Sequence, residues 1–175
     1  MLKQSLYLGP RDLYDLIIVG IDTGMRRSKI LRLTDLDYSE GSLTVRLTKN
    51  GKPRVVPCTD RVQAVVAGRV QAGRRIFPTM TNSILTRQWG TLRELMGRTD
   101  NPLWIVNVMH HTCASWLVTA GTPLADLQLC MGHLHIATTL RYAHLNPEVL
   151  KAATARLNAR NVASTVAEYG SALVV

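Results

Sequence analysis

The pattern of apolar residues changes from helical to alternating at one place in this sequence, and that change limits the folds open to the chain. Elsewhere, apolar residues recur every three or four positions, as Leu13, Leu16 and Ile17 do in "GPRDLYDLIIVGIDTG". This spacing puts them on one face of a helix, which Pro10 opens and Gly24 closes. Most of the chain is therefore predicted to be helical.

The exception is "GSLTVRLTKNGKPRVVPCT", in which apolar and polar residues alternate around Asn50-Gly51. Alternation is the strand period, and Asn-Gly is a strong signal for a tight hairpin turn. The pattern predicts strands over Leu43–Thr48 and Lys52–Pro57, with Lys49 at the hairpin tip. Together with the helical segments, it predicts a mostly α fold with a small antiparallel β-hairpin or sheet.

Further helices are predicted on both sides of the hairpin. Their segments are "MRRSKILRL", "DRVQAVVAGRVQAG", "TNSILTRQWGTLRELMGR", "TCASWLVTAG", "PLADLQLCMGH", "IATTLRYAHL" and "NPEVLKAATARLNAR". Several have a capping residue at the start or a glycine at the end. Residues 161–175 show no clear period, and we expect a C-terminal tail that is mobile or docked on a partner. Residues 1–160 are expected to form one domain.

The charge of the chain points to an anionic partner. Lysine and arginine number 21 against 12 aspartates and glutamates, which gives a net charge of +9 with neutral histidines. Such an excess favours nucleic acid, although a basic surface that serves solubility gives the same balance. No apolar run approaches the roughly 18 residues that span a bilayer, and the N-terminus lacks a signal-peptide pattern. We expect a soluble, cytoplasmic protein.

The three cysteines predict neither disulfides nor a metal site. Cys58, Cys113 and Cys130 are odd in number and lie in apolar surroundings, which favours buried free thiols. A zinc site built from Cys113, Cys130 and nearby histidines is an alternative, but no CxxC or HxxxH spacing supports it. The motifs GxxxxGK(S/T), GxGxxG, HExxH and GxSxG are also missing. No cofactor and no metal are therefore expected.

The segment "MGHLHIATTLRYAHL" carries chemistry that a packed core does not need. It holds three histidines, an arginine and a tyrosine at helix-like spacing, and Tyr142 follows His133 by nine residues. A phenol with a pKa of about 10 is a poor nucleophile at neutral pH unless a base or cations assist it. Attack on a phosphodiester needs forked cations for the charge on the oxygens, and a lysine can protonate the departing sugar oxygen.

Several segments resemble, in order, the motifs of the tyrosine recombinase (phage integrase) family. "TGMRRSKILRL" is similar to the TGxRxSE box, with Arg26 on the first catalytic arginine. "LTKNGKPRVVP" resembles the β-hairpin that carries the catalytic lysine, here Lys49. "NVMHHTCASWLVTAGTPLADLQLCMGHLHIATTLRYAHL" is similar to HxLRHTxAS…LGHxxxxTTxxYxH, which puts His133 on the second-box histidine and Tyr142 on the nucleophile. The match covers most of the chain, from residue 13 to residue 150.

The resemblance implies a site-specific DNA recombinase, or integrase, that forms a 3′-phosphotyrosyl link and releases a 5′-hydroxyl. The implied site consists of the nucleophile Tyr142, the phosphate-holding residues Arg26 and His110, the general acid Lys49, and the assisting residues His133 and Asn107. The implied partners are double-stranded DNA and further copies of the chain, as a tetramer on paired sites. Family members usually carry an N-terminal core-binding domain, which we expect this chain to lack.

Three positions depart from the family pattern where it holds the phosphate. The second arginine is His110, the first histidine of that box is Asn107, and the acid after Arg-x-Ser is Lys29. Losing one preorganised donor costs on the order of 10²–10³ in rate. If His110 serves the phosphate, activity should fall between about pH 6 and 8. The alternatives are a catalytically impaired, integrase-like DNA-binding protein and a topoisomerase-like relaxase that uses the same site.

Aromatic residues outside these motifs are interpreted as structural. His111 is expected to pack or to cap its helix, because the family's equivalent histidine is largely structural. The remaining tyrosines have no cluster of cations nearby in sequence and are read as packing residues: Tyr7, Tyr14, Tyr38 and Tyr169. The tryptophans are predicted to be core residues because of their large apolar surface: Trp89, Trp104 and Trp116.

Overall fold

A computed structural model describes residues 1–5, 11–46, 53–71, 73–145 and 154–159 of the 175-residue chain. Within these ranges the chain is mostly helical, as the sequence predicts. The helices are α1 (Leu2–Ser5), α2 (Asp12–Thr23), α3 (Arg27–Ile30), α4 (Asp60–Ala67), α5 (Asn82–Leu95), α6 (Val108–Thr119), α7 (Leu124–Met131), α8 (Ile136–Leu140), 3-10 helices at Asp35–Asp37 and Ala143–Leu145, and a helical stretch over residues 154–159. None of the helices in these ranges has the length and apolar character that a membrane span requires.

Helix α2 is the centre of the fold. Its residues Leu16 and Ile17 have no exposed surface, and α4 and α6 pack against the helix. Gly20 permits the close approach of α6, because a Cβ atom there would lie 2.7 Å from the sulfur of Met109. The helix ends at Gly24, whose φ of 60° is the left-handed conformation expected of a C-terminal glycine. This end of α2 positions the first residues of the candidate site.

The sheet has three antiparallel strands in the order β1 (Tyr38–Ser39), β2 (Ser42–Val45) and β3 (Arg54–Pro57). Leu43 pairs with Val56, and Val45 pairs with Arg54. Leu43, Val45 and Val56 are buried, as the alternation predicts. Strand β1 is absent from the sequence prediction, because two residues are too few to show a period.

Several predicted features lie outside the described residues. The hairpin turn at Asn50-Gly51 and the candidate general acid Lys49 fall within residues 47–52, and the helix opener Pro10 falls within residues 6–10. The predicted tail at residues 161–175 and the tyrosines Tyr7 and Tyr169 are outside them as well. The strand β2 ends before Arg46, so it is shorter than predicted.

The buried apolar residues form two clusters. The larger core surrounds α2 and includes the sheet, α4 and α5, where Trp89 is 3% exposed, as predicted. The smaller cluster joins α6, α7 and the turn after α8, and its members are Cys113, Ala114, Val118, Leu127, Met131 and Tyr142. The candidate nucleophile is therefore part of the packing between the last helices of the domain.

The prediction that Trp116 and Cys130 are buried is wrong. Trp116 is 55% exposed on α6, and Cys130 is exposed near the end of α7. Helix α6 is apolar around most of its circumference, so its pattern does not identify the buried face. Cys113 is buried as predicted, and Cys58 is half-buried.

Candidate active site

A cleft of ≈ 1080 Å³ opens between the sheet, the C-terminal end of α2 and helices α6 to α8. Arg26, Lys29 and Arg54 line it, so its walls carry positive charge. Arg26 is the exposed residue directly before α3, which the turn at the end of α2 sets in place. Asp22 also lines the cleft, but its carboxylate is bound by the guanidinium of Arg61. The cleft is therefore suited to an anion.

A chain of hydrogen bonds runs through two buried histidines of this site. His110 Nδ1 lies 2.5 Å from the carbonyl oxygen of Gly24, and its Nε2 lies 3.1 Å from Nε2 of His133. Nδ1 of His133 lies 2.9 Å from the hydroxyl of Thr139. Because a carbonyl oxygen can only accept, His110 Nδ1 carries a proton and donates it. In the neutral state His133 then donates from Nε2 to His110, and Thr139 donates to His133.

His110 is neutral in this environment. Burial lowers its pKa from 6.5 to about 4; the hydrogen bond to Gly24 opposes the shift, and the positive fields of Arg26, His133 and His111 add to it. In the free protein His110 therefore does not change charge between pH 6 and 8. The neutral ring offers no permanent charge and no forked pair of donors, which an arginine at this position would supply.

Tyr142 has its ring in the smaller cluster and its hydroxyl beside a histidine. The residue is 8% exposed, and its ring stacks on that of His133 with 6.5 Å between centroids and 6° between planes. The hydroxyl oxygen lies 2.6 Å from Nδ1 of His111. Burial raises the pKa of Tyr142, while the charges of Arg141 and Arg26 oppose the rise. The phenol is therefore protonated at neutral pH, and a nucleophilic role requires a proton acceptor.

The contact between His111 and Tyr142 is the feature that sequence reasoning missed. The sequence interpretation treats His111 as a packing or capping residue, whereas its imidazole lies within hydrogen-bond distance of the candidate nucleophile. Burial lowers the pKa of His111, and the charges of Arg141 and Arg26 lower it further. No sequence signal distinguishes this histidine, because the contact joins residues on separate helical segments.

Arg54 is a second residue that the motifs did not identify. Its Nη1 donates to the carbonyl oxygens of Cys130 and of Leu129, at the end of α7. Gly132 leaves space for this guanidinium, because a Cβ atom there would lie 2.8 Å from Nη1. Burial lowers the pKa of Arg54, and the charge of Arg26 lowers it further. The arginine thus joins the sheet to the segment that carries His133.

Among the residues that the structure describes, the others that the motifs single out do not join this hydrogen-bonded group. Asn107 is exposed at the N-terminus of α6, and its side chain makes no capping hydrogen bond. Lys29 is half-buried in the wall of the cleft, and Lys49 lies outside the described residues. The structure thus brings His110, His133 and Tyr142 together beside Arg26. In the part of the chain that the structure describes, no group of three or more metal-ligating side chains could hold a metal ion.

The domain, with its tyrosine and histidines beside a basic cleft, has the fold of an integrase catalytic domain. The catalytic domain of bacteriophage HP1 integrase is similar to it with a TM-score of 0.68 and 25% identity, over 87% of this chain and 89% of that one. The integrase of transposon Tn1549, in complex with circular intermediate DNA, is similar with a TM-score of 0.65 and 24% identity, over 82% of this chain and 58% of that one.

Sequence comparison identifies the family. The model of the phage integrase family matches residues 7–149. The tyrosine recombinase XerC of Rhodospirillum centenum is 31% identical over 160 residues, which cover 84% of this chain and 46% of XerC. The chain therefore belongs to the phage integrase family, as its motifs predict. It spans about half the length of the curated relatives that it matches.

Proposed function

We propose that this chain is the catalytic domain of a site-specific DNA recombinase that cuts and rejoins DNA through Tyr142. The observation that carries the proposal is the position of the Tyr142 hydroxyl, within hydrogen-bond distance of His111 and packed on His133, beside a basic cleft. The family to which the chain belongs and its similarity to the XerC recombinase support the same activity.

In the proposed reaction, the oxygen of Tyr142 attacks a DNA phosphate, and the bond from phosphorus to the 5′ oxygen breaks. A 3′-phosphotyrosyl link forms, Lys49 gives a proton to the departing oxygen, and Arg26 stabilises the charge on the phosphate oxygens. The phosphotyrosyl ester conserves the energy of the broken bond. The 5′-hydroxyl of a second DNA end can therefore reverse the step and complete strand exchange.

His110 and the two assisting residues, His133 and Asn107, belong to the same proposal. His110 shares the phosphate with Arg26, but its Nε2 is bare in the neutral state and faces His133. It becomes a donor to a phosphate oxygen only after taking a second proton, which the negative charge of an adjacent phosphate favours. We therefore expect a slower reaction than with an arginine, by on the order of 10²–10³ for one lost donor.

The proposed partner is double-stranded DNA. The net charge of +9 and the arginines of the cleft support this partner, and the Tn1549 integrase was solved with DNA. A tetramer on paired sites is proposed, with residues 161–175 docked on a neighbouring protomer and residues 1–160 as the catalytic domain. The setting proposed for this reaction is the cytoplasm of a bacterial or phage-infected cell.

The test is covalent capture on nicked duplexes, in which loss of a short fragment after cleavage prevents religation. The wild-type chain is incubated with attachment-like and random-sequence duplexes and resolved on a denaturing gel. We expect a protein–DNA band that Tyr142→Phe abolishes. The matched control is Tyr14→Phe, a half-buried tyrosine in α2 that should keep the band. A band that survives Tyr142→Phe would contradict the proposal.

The second candidate is a DNA-binding protein of the same family that does not cut. The neutral, buried His110 in place of an arginine favours it. Gel-shift binding without any covalent band on the same duplexes would support this candidate. A relaxase is the remaining alternative: exchange of strands between two differently labelled duplexes would exclude it, and relaxation of a supercoiled plasmid without exchange would support it.

A further inference from the structure

The hydroxyl of Tyr142 lies 2.6 Å from Nδ1 of His111. We propose that His111 is the general base that takes the phenolic proton as Tyr142 attacks, an inference that rests on the proposed function. The family pattern places a histidine at position 107, where this chain has Asn107. An amide cannot take up a proton at neutral pH. Asn107 therefore cannot serve as a base, whereas the imidazole of His111 can.

Asn107 and His111 lie on the same side of α6. Residues four apart share a face of a helix, and the backbone N–H of His111 donates to the carbonyl of Asn107 across one turn of α6. His110, the residue before His111, points elsewhere, because successive residues turn by about 100°. The two histidine rings are 5.9 Å apart at 75°, so one binds Gly24 and the other reaches Tyr142.

The hydrogen bond has a preferred direction. A phenol with a pKa of about 10 is a better donor than a neutral imidazole, and imidazole nitrogen is the better acceptor. The hydroxyl of Tyr142 therefore donates to Nδ1 of His111, whose proton is on Nε2. This is the arrangement from which a proton passes from oxygen to nitrogen without any rotation of either ring.

The charges around His111 keep it able to accept a proton. Burial lowers its pKa, and the charges of Arg141 after α8 and Arg26 before α3 lower it further. The rings of Tyr142, of His110 on its own helix and of His133 after α7 also lie near it. The two arginines disfavour protonation of His111 in the free protein, and they also favour the phenolate of Tyr142. A bound phosphate offsets part of their charge, which eases proton uptake when the reaction starts.

Protons and bonds balance in the complete step. The Tyr142 oxygen–phosphorus bond forms, the bond from phosphorus to the 5′ oxygen breaks, His111 gains the phenolic proton, and Lys49 gives one to the 5′ oxygen. In religation the 5′-hydroxyl returns its proton to Lys49, and protonated His111 returns its proton to Tyr142. No oxidant, metal or nucleotide enters the balance.

The experiment measures the rate of covalent-complex formation on nicked duplexes from pH 5 to 9. His111→Asn puts an amide close to the position of Nδ1, so it can keep the hydrogen bond but cannot serve as a base. We expect a 10²–10⁴-fold slower reaction at pH 7. The wild type should react more slowly at acid pH, where His111 becomes protonated, and His111→Asn should lack this decline. His144→Asn, at an exposed histidine, is the matched control.

Two further measurements separate a base from a structural residue. A duplex whose bridging 5′ oxygen is replaced by sulfur needs no proton on its leaving group, so the defect of His111→Asn should persist on it. Added imidazole should accelerate His111→Ala in proportion to the free-base concentration. Binding in gel shifts equal to that of the wild type shows that each variant is folded.

The outcomes distinguish this inference from the proposed function. Covalent products from wild type and His111→Asn at equal rates would overturn the inference and leave the function intact. Equal losses in His111→Asn and His111→Ala, with an unchanged pH profile and no imidazole rescue, would make His111 a positioning residue. If the rate of His111→Asn recovers on the sulfur substrate, His111 acts as the general acid and not as the base. No product from the wild type on any duplex would overturn the function and the inference together.

Discussion

The two ends of α2 carry charge in opposite ways. At the N-terminal end, Arg69 contacts the carboxylates of Asp12 and Asp15, each at 2.7 Å, and its guanidinium lies over Phe77. At the C-terminal end, Arg26 and Arg54 lie beside neutral histidines, and within the described ranges neither arginine forms a salt bridge. One end therefore contributes to stability, whereas the other keeps positive charge available for an anion.

The largest expected effect comes from removing the ion pairs at the N-terminal end of α2. Arg69→Met leaves Asp12 without its cation and leaves Asp15 with only the exposed Arg11, at carboxylate side-chain exposures of 18% and 8%. Removing one partner of a buried ion pair costs about 3–5 kcal/mol, so the free energy of unfolding in urea should fall by that amount. Arg11→Met is the control, because this arginine is 74% exposed and should cost less than about 1 kcal/mol. Equal losses from the two variants would contradict the comparison.

The next effect should appear at the C-terminal end and in activity alone. Under the proposed function, Arg26→Gln removes a cation from the phosphate and should slow covalent-complex formation by on the order of 10²–10³. Its free energy of unfolding should change by no more than about 0.5 kcal/mol, because the residue is exposed. Arg27→Gln, at the adjacent exposed position, measures the general loss of positive charge. A similar loss of activity in both variants would count against a specific role for Arg26.

The two ends should also lose stability in different pH ranges. Burial lowers the pKa of His110 from 6.5 to about 4, so the unfolded chain takes up this proton at a higher pH than the folded one. The contribution of His110 to the free energy of unfolding is therefore complete above pH 6.5 and is lost as the pH falls towards 4. The loss amounts to about 3 kcal/mol. Burial would raise the pKa of Asp12, but hydrogen bonds from Thr79 and Arg69 lower it, so its contribution is lost below pH 3.8.

Unfolding in urea from pH 3 to 8 measures both ranges. His110→Asn should be less sensitive to pH between 6.5 and 4 than the wild type, and the two should behave alike at lower pH. An equal dependence on pH in both proteins between 6.5 and 4 would show that His110 is not held neutral by the fold.

The smallest expected effect is on stability, and it tests whether Gly132 leaves necessary space for the guanidinium of Arg54. Gly132 and Gly97 have φ angles of 62° and 60°, and an alanine in this conformation costs about 1–2 kcal/mol. A Cβ atom on Gly97 meets nothing within 4 Å, whereas one on Gly132 meets the guanidinium of Arg54. Gly132→Ala should therefore lower the free energy of unfolding more than Gly97→Ala. Equal values would mean that Arg54 moves aside without cost.

The fold could be predicted where nearby residues determine it. Helix α2 ends at Gly24, and α5 begins after Thr81, whose hydroxyl accepts a hydrogen bond from the backbone N–H of Ile84. The alternation that buries Leu43 and Val45 is likewise visible in four residues. In each case the signal and the structure it specifies lie within one turn or one strand.

The site could be predicted only in part, because contacts between distant segments determine it. The motifs identified Arg26, His133 and Tyr142, yet spacing cannot show that His110 binds the carbonyl of Gly24 at the end of another helix. The same limit applies to the bond between His111 and Tyr142. A motif can predict the role of a residue. Whether that residue is protonated depends on its burial and on the neighbours that the fold brings near it.

The hydrogen-bonded histidine chain also provides a spectroscopic signal. Two ring protons, on Nδ1 of His110 and Nε2 of His133, are buried and shared with acceptors. Ring protons held in this way exchange slowly with water, and nuclear magnetic resonance detects them far downfield of the backbone amides. Their two resonances would report an intact site in a sample that contains no DNA.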